Sequence, residues 1–217
     1  LCHAQRIVFL ISIVTLEMQE YALLLSVIVF VTLIIPRYRT PVMYESVVTP
    51  DECAYIMDKA RDKLKPSTVA LSSVKDAKVR QSDTAWLTTD DAMINDVCRR
   101  LLRTCDRPFE NCEQLQVVRY KPGGFYLPHH DAFQETKNRR MYTFIIGLND
   151  GYEGGETAFP NLDRKYKLKQ GDVLMFDTLD NYGMIASDAL HAGLPLDTGE
   201  KWIANLWVHT YPYKADA

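Results

Sequence analysis

The sequence carries five cysteines but no C-x-x-C pair, so a zinc cluster built on paired thiolates is not its organising centre. It has no internal repeat and no low-complexity segment, which removes repeat architectures. An excess of one charge is missing too: 25 Lys and Arg stand against 28 Asp and Glu, and a net charge of −3 gives no electrostatic footprint for nucleic acid. Long apolar runs are equally scarce. Tyr21 to Ile35 is free of charge, but as a helix it reaches only about 22 Å against a hydrocarbon core of about 30 Å. Joined to the apolar run Ile7 to Leu16 it becomes long enough, at the cost of carrying Glu17, Gln19 and Glu20 inside. We expect Leu1 to Pro36 to be a hydrophobic signal-anchor, with a cleaved signal segment as its rival, placing the protein at a membrane or in a secretory-pathway lumen. Arg6 before the run and Arg37 and Arg39 after it leave the orientation open.

With 217 residues and 47% hydrophobic content, the chain can bury one sizeable core beside that appendage. Residues 37–48 read as a linker and a first strand. Thr49-Pro50-Asp51-Glu52 is a helix start, and the spacing predicts a helix from about Pro50 to Leu64, ended by Pro66. A second helix is predicted over Asp90 to Thr104, with acids at its start and Arg99, Arg100 and Arg103 near its end. From Glu113 onward the pattern turns to eight strands, over 114–120, 125–131, 140–148, 155–159, 165–169, 172–177, 188–193 and 201–210, separated by turn residues such as Lys121-Pro-Gly-Gly and Asp197-Thr-Gly. Eight strands after two helices predict an α+β, mainly β fold: a double-stranded β-helix of the jelly-roll or cupin-like kind, its N-terminal helices buttressing one sheet. Cys98, Cys105 and Cys112 recur every seven residues and fit either a bridge in an oxidising lumen or small buried side chains.

The stretch QVVRYKPGGFYLPHHD, Gln116 to Asp131, places His129 and Asp131 two positions apart on a predicted strand and so on one side of it, with His130 facing away. An imidazole and a hard oxygen make half of a metal site, and His191 in DALHAGLPL offers the further imidazole that a catalytic iron needs. The later run EKWIANLWVHTY alternates: Lys201, Ile203, Asn205 and Trp207 fall on one face, Trp202, Ala204, Leu206 and Val208 on the other. A lysine inside a barrel needs an anion, which a dicarboxylate chelating the metal at its other end would supply.

H-x-D at 129–131, LHAGLP around His191 and GEKW with Lys201 ten residues later resemble the 2-oxoglutarate and Fe(II)-dependent dioxygenases, and more narrowly the prolyl 4-hydroxylases of algae and algal viruses. The resemblance covers about Val47 to Tyr213 and implies that residues 49–217 form a catalytic domain. It implies that His129, Asp131 and His191 hold Fe(II), that Lys201, Tyr120 and Thr157 hold 2-oxoglutarate, and that Tyr126, Arg140 and Trp207 line a groove for a proline-rich or collagen-like peptide. It further implies O2 as co-substrate, ascorbate as reductant, and succinate and CO2 as products beside 4-hydroxyproline. Tyr120 and Thr157 also fit ordinary core positions, and Arg140 a solvated pair with Arg139. His3, His130 and His209 match no position of the motif and are expected to be structural or exposed. Val69 to Leu87 resembles the family's flexible stretch around an Arg-x-Ser segment, here Arg80-Gln-Ser82, and fits a surface hairpin with charged turns as well. Gly147 and Asp177 depart from the family's pattern, where a tyrosine and an apolar residue are common; Tyr142 is larger than usual but faces away from Gly147 by strand parity. These departures leave a same-fold dioxygenase for a free amino acid or a non-proline side chain as the alternative. A non-catalytic peptide-binding relative is weaker, because no metal ligand is missing.

Overall fold

The computed structural model describes residues 18–28, 35–68 and 76–214. The chain divides into two units, Leu1–Arg37 and Tyr38–Ala217. In the first, residues 18–28 are helical, and no helix among the described residues is long and apolar enough to cross a membrane. The expected span thus finds no support there, and most of Leu1 to Pro36 lies outside the described residues, as do residues 69–75 of the expected flexible stretch.

In the second unit, α1 (Pro50–Arg61) starts where the sequence predicts. Thr49 and Glu52 form a reciprocal capping box, and Pro50 occupies the first turn, where a missing N–H costs nothing. The helix stops at the Asp62 cap rather than running to Leu64. α2 (Ala92–Leu101) is capped by Asp91 and tightens into a 3-10 turn over Leu102–Thr104. The Arg100 guanidinium reaches Glu52 at 2.5 Å, ties the two helices together and holds the Glu52 carboxyl down at about 2.

Among the described residues thirteen strands follow one another: β1 (Val42–Tyr44), β2 (Lys65–Pro66), β3 (Asp83–Leu87), β4 (Leu115–Tyr120), β5 (Tyr126–His129), β6 (Arg140–Gly147), β7 (Glu153–Gly154), β8 (Thr157–Phe159), β9 (Arg164–Tyr166), β10 (Val173–Asp177), β11 (His191–Gly193), β12 (Leu196–Thr198) and β13 (Lys201–His209). They form a seven-stranded sheet, β1-β10-β6-β13-β4-β3-β2, a four-stranded sheet, β5-β11-β8-β9, and the pair β12-β7. All of the pairings are antiparallel. Beyond the expected eight, β1 is the first strand expected in residues 37–48, β2 and the five-residue β3 form a hairpin ahead of Glu113, and β7 and β12 are two- and three-residue pieces between the expected strands.

Alternation along the large sheet separates two cores. Val117, Phe144, Ile146, Trp202, Ala204, Leu206 and Val208 pack with Ile56, Ile94, Val97 and Leu101 of the helices. Val118, Ile145, Leu174, Phe176 and Ile203 point the other way and meet Phe159, Leu196 and Tyr166 from the smaller sheets. Two sheets closed over an inner core, with helices against the outer face of the larger one, are the predicted double-stranded β-helix. Tyr142 joins the helix-side core, so it does not refill space at Gly147. A Cβ at Gly147 would run into the Lys169 carbonyl oxygen, because the loop before β10 crosses that spot. Gly147 is a close-approach position here, and the sheet leaves no room for a tyrosine. Asp177 is turned outward and pairs with Arg39 at 2.6 Å, fastening the segment before β1 to the end of β10.

Candidate active site

β5 and β11 lie side by side with His191 opposite His129. β5 ends at His129 and Asp131 sits in the bend just beyond it, so the two are not on one extended strand as expected, but the bend brings the carboxylate to the same point. One ligand atom from each of His129, Asp131 and His191 lies within 4.8 Å of the others. Both Nε2 atoms stand 3.7 Å from an Asp131 oxygen. His129 Nδ1 lies 2.9 Å from the Leu127 carbonyl and His191 Nδ1 3.0 Å from the Ala189 carbonyl. A carbonyl only accepts, so each ring carries its proton on Nδ1 and presents a bare Nε2 to the shared point. Thr143 donates to Asp131 Oδ2 at 2.7 Å and fixes the carboxylate plane.

The electrostatics suit a cation. Burial, and the neighbouring His191, push the His129 pKa down and keep its imidazole neutral. Burial alone would raise Asp131, but His191, His129 and Arg140 outweigh it and keep the carboxylate ionised. Two neutral imidazoles and one carboxylate converging on a cavity form the donor set of a ferrous site with open positions, and the residues fit Fe(II).

A cavity of about 160 Å³ opens from these ligands and is lined by Tyr120, Thr157, Lys201, Ile203, Asn205 and Trp207 among others. The parity read from the sequence for β13 therefore holds. Lys201 is buried, makes no ion pair among the described residues, and donates to the Gly155 carbonyl at 2.5 Å. Burial, reinforced by Lys167, pulls its pKa down to about 8. Its Nζ stands 5.4 Å from the centre of the Tyr120 ring, and Thr157 is buried on the same wall. The Asn205 Oδ1 atom is buried without a partner among the described residues, leaving an acceptor for a bound molecule, while the buried Trp207 N–H helps to hold the Asp131 carboxylate ionised.

Above the ligands Tyr126 stacks on His129 with ring centroids 3.6 Å apart, and the Arg80 guanidinium lies 4.7 Å from the Tyr126 ring centre. Arg140 lies 3.7 Å over the Trp207 ring and contacts the Asp131 carbonyl, so it is not a solvated partner of Arg139. Its guanidinium is gripped by buried Glu113, through Nε at 2.5 Å and Nη2 at 3.0 Å. The same carboxylate meets His209 Nε2 at 2.7 Å. One histidine thus departs from expectation and one meets it as a structural residue. His209 is buried within this network, and His130 lines the cavity instead of facing away. The signal for His209 was present, since the cavity-facing row of β13 reaches it one step after Trp207. Glu113, just before β4, carries none in the sequence.

The description "2OG-Fe(II) oxygenase superfamily" matches residues 115–209. A prolyl 4-hydroxylase assigned in Acanthamoeba polyphaga mimivirus is 38% identical over 181 residues, spanning 78% of this chain and 74% of that protein. Prolyl 4-hydroxylase 13 of Arabidopsis thaliana is 30% identical over 76% of this chain and 69% of its own length. Among solved structures, the viral collagen prolyl hydroxylase of Paramecium Bursaria Chlorella virus-1, in complex with 2OG, aligns with a TM-score of 0.66 at 29% identity, covering 80% of this chain and 97% of that one. The chain belongs to the 2OG-Fe(II) oxygenase superfamily, as a 2-oxoglutarate-dependent dioxygenase of the prolyl 4-hydroxylase family.

Proposed function

We propose that this enzyme hydroxylates C4 of proline within an extended proline-rich or collagen-like peptide, with ascorbate keeping the metal reduced between turnovers. The observation that carries the reading is the union, in one cavity, of three converging ligands, a buried lysine without a counterion among the described residues and an aromatic rim over which Glu113 holds Arg140. His129, Asp131 and His191 would hold Fe(II), which would supply the oxygen chemistry that couples decarboxylation of 2-oxoglutarate, giving succinate and CO2, to insertion of a hydroxyl at a C–H bond.

The chain's own part is binding, orientation and exclusion of water. Lys201 receives the distal carboxylate of 2-oxoglutarate, which restores to its ammonium the counterion that burial withholds. Thr157 and Tyr120 offer hydroxyls to the same dicarboxylate. Tyr126 and Trp207 present ring faces suited to a proline ring, and Arg140 reaches the carbonyls that a polyproline II chain leaves unpaired. The peptide then covers the cavity mouth and holds the target carbon beside the metal. The hydrophobic stretch ahead of the domain supports residence at a membrane or in a secretory-pathway lumen.

The test is turnover with Fe(II), ascorbate, 2-oxoglutarate and a proline-rich peptide, following succinate and a +16 Da shift on proline. Peptide-dependent succinate with the shift on proline is expected, and chelation should abolish both until Fe(II) is returned. Succinate with an unmodified peptide would move the target to another molecule.

A further inference from the structure

The cavity does not end at the metal side of the sheet. A second groove, lined by Lys63, Lys65, Arg80, Thr84, Trp86 and Gln116, shares Arg80, Trp86 and Gln116 with the active-site cavity and continues it toward the β2 edge. Sheet register shows that it runs along the cavity-facing side. Trp86 is opposite Gln116 and Gln116 opposite Asn205, while Lys65 is opposite Thr84 and Thr84 opposite Val118, so Lys65 stands on the face that carries the site. Trp86 is 44% exposed, and its ring centroid lies 5.9 Å from that of Trp207, so an aromatic step joins the two grooves.

The far end is basic. Lys63 and Lys65 are exposed and make no ion pair among the described residues, and Asp62 is the one acid lining the groove. The Arg80 guanidinium bonds to hydroxyls, Ser82 at 2.9 Å and Thr84 at 3.4 Å, and makes no ion pair among the described residues. Three cations against one anion, continuous with the place where a peptide would enter, select for negative charge.

We propose that this groove is a distal subsite that recognises an acidic side chain of the peptide substrate, using Lys65 and Lys63; the proposal rests on the peptide reading above. β2 lies four strands from β6, whose Thr143 orients Asp131. At about 4.8 Å per strand and a few residues of offset along them, the span is on the order of 20 Å. An extended peptide advances about 3.1 Å per residue, so with the reach of two long side chains the acid falls about four to six residues from the target proline.

The full-length enzyme is assayed with two peptides of one proline-rich sequence, carrying either Glu or Lys four to six residues to each side of the target. Turnover gives KM and kcat, and anisotropy of the labelled peptides gives Kd without turnover. The Glu peptide is expected to bind about five- to tenfold more tightly, through KM rather than kcat, with the gap closing at high salt. In Lys63→Glu/Lys65→Glu the preference should invert, while the KM for 2-oxoglutarate stays unchanged. Equal Kd values for the two peptides, or a preference that the double variant leaves intact, would overturn the subsite. Neither peptide hydroxylated, yet the Glu peptide bound more tightly, would overturn the proline reading and leave the subsite standing.

Discussion

The two faces of the seven-stranded sheet are made by the same strands and do opposite work. On β13, Trp202, Ala204, Leu206 and Val208 enter an apolar core against the helices, whereas Lys201, Asn205 and Trp207 on alternate positions line the cavity. The helix face is governed by burial, which has no direction and accepts any apolar side chain of suitable volume. The cavity face holds buried polar groups that stabilise little until a ligand completes them: among the described residues, an ammonium without a counterion and an Asn205 oxygen without a partner. Stability and function are therefore separable by parity, and substitutions one residue apart should report on different properties.

The comparison breaks most sharply at Asp131. Asp131→Ala removes the carboxylate that both imidazoles face, and activity should fall at least about a thousandfold. The fold should survive, because neither apolar core includes Asp131, so the protein should still melt in one cooperative transition, lowered by the loss of a carboxylate that His191, His129 and Arg140 stabilise. Residual turnover above a few per cent would end the assignment of Asp131 as a ligand. On the other face Phe144→Ala should do the reverse. Phe144 is fully buried in the helix-side core, and its truncation should cost about 3–5 kcal/mol in denaturant unfolding, with turnover per folded molecule retained. A melt unchanged by that substitution would contradict the division of labour.

How far the sequence carried the fold follows from the same parity. Period-2 alternation in β13 and the capping box at Thr49 are local signals, and both elements form where the residues place them. The convergence of His129, Asp131 and His191 was legible because H-x-D and a distant histidine carry their chemistry in residue type. Glu113 was not legible: its position means nothing until β4 brings it beneath Arg140 and His209, a tertiary fact with no local trace. Gly147 is similar, since its requirement comes from the Lys169 carbonyl of a remote loop.

Lys201 offers an intermediate effect and a pH signature. Lys201→Ala should raise the KM for 2-oxoglutarate about a hundredfold, the loss expected for a charge-assisted contact worth ~2–3 kcal/mol, with little change in melting. Only the protonated amine pairs with a carboxylate, and the free enzyme's lysine loses its proton near pH 8. The affinity for 2-oxoglutarate should therefore fall as pH rises above about 8, approaching tenfold per unit. Stability without cosubstrate runs the other way. The folded pKa lies below the unfolded one, so the unfolded chain binds more protons between about 8 and 10.5, and this group's penalty on folding is relieved as pH rises through that window. Affinity for 2-oxoglutarate that is flat from pH 7 to 9.5 would remove Lys201 from the cosubstrate site.

The smallest expected effect sharpens the comparison within the cavity face itself. Glu113 bonds to none of His129, Asp131, His191 and Lys201; it grips Arg140, which lies over Trp207 and reaches the Asp131 carbonyl. Glu113→Gln keeps the shape but removes the charge that holds the guanidinium, so Arg140 should sample other positions. The peptide KM should then rise about tenfold, as expected for weakening a charge-assisted bidentate pair by ~1.4 kcal/mol, while the KM for 2-oxoglutarate and the affinity for Fe(II) stay put. Glu113→Asp, which restores the charge on a shorter stem, should recover part of the loss. If all three ligands weakened together, Glu113 would be a general prop of the barrel; an effect confined to the peptide would make it a positioning residue for the groove.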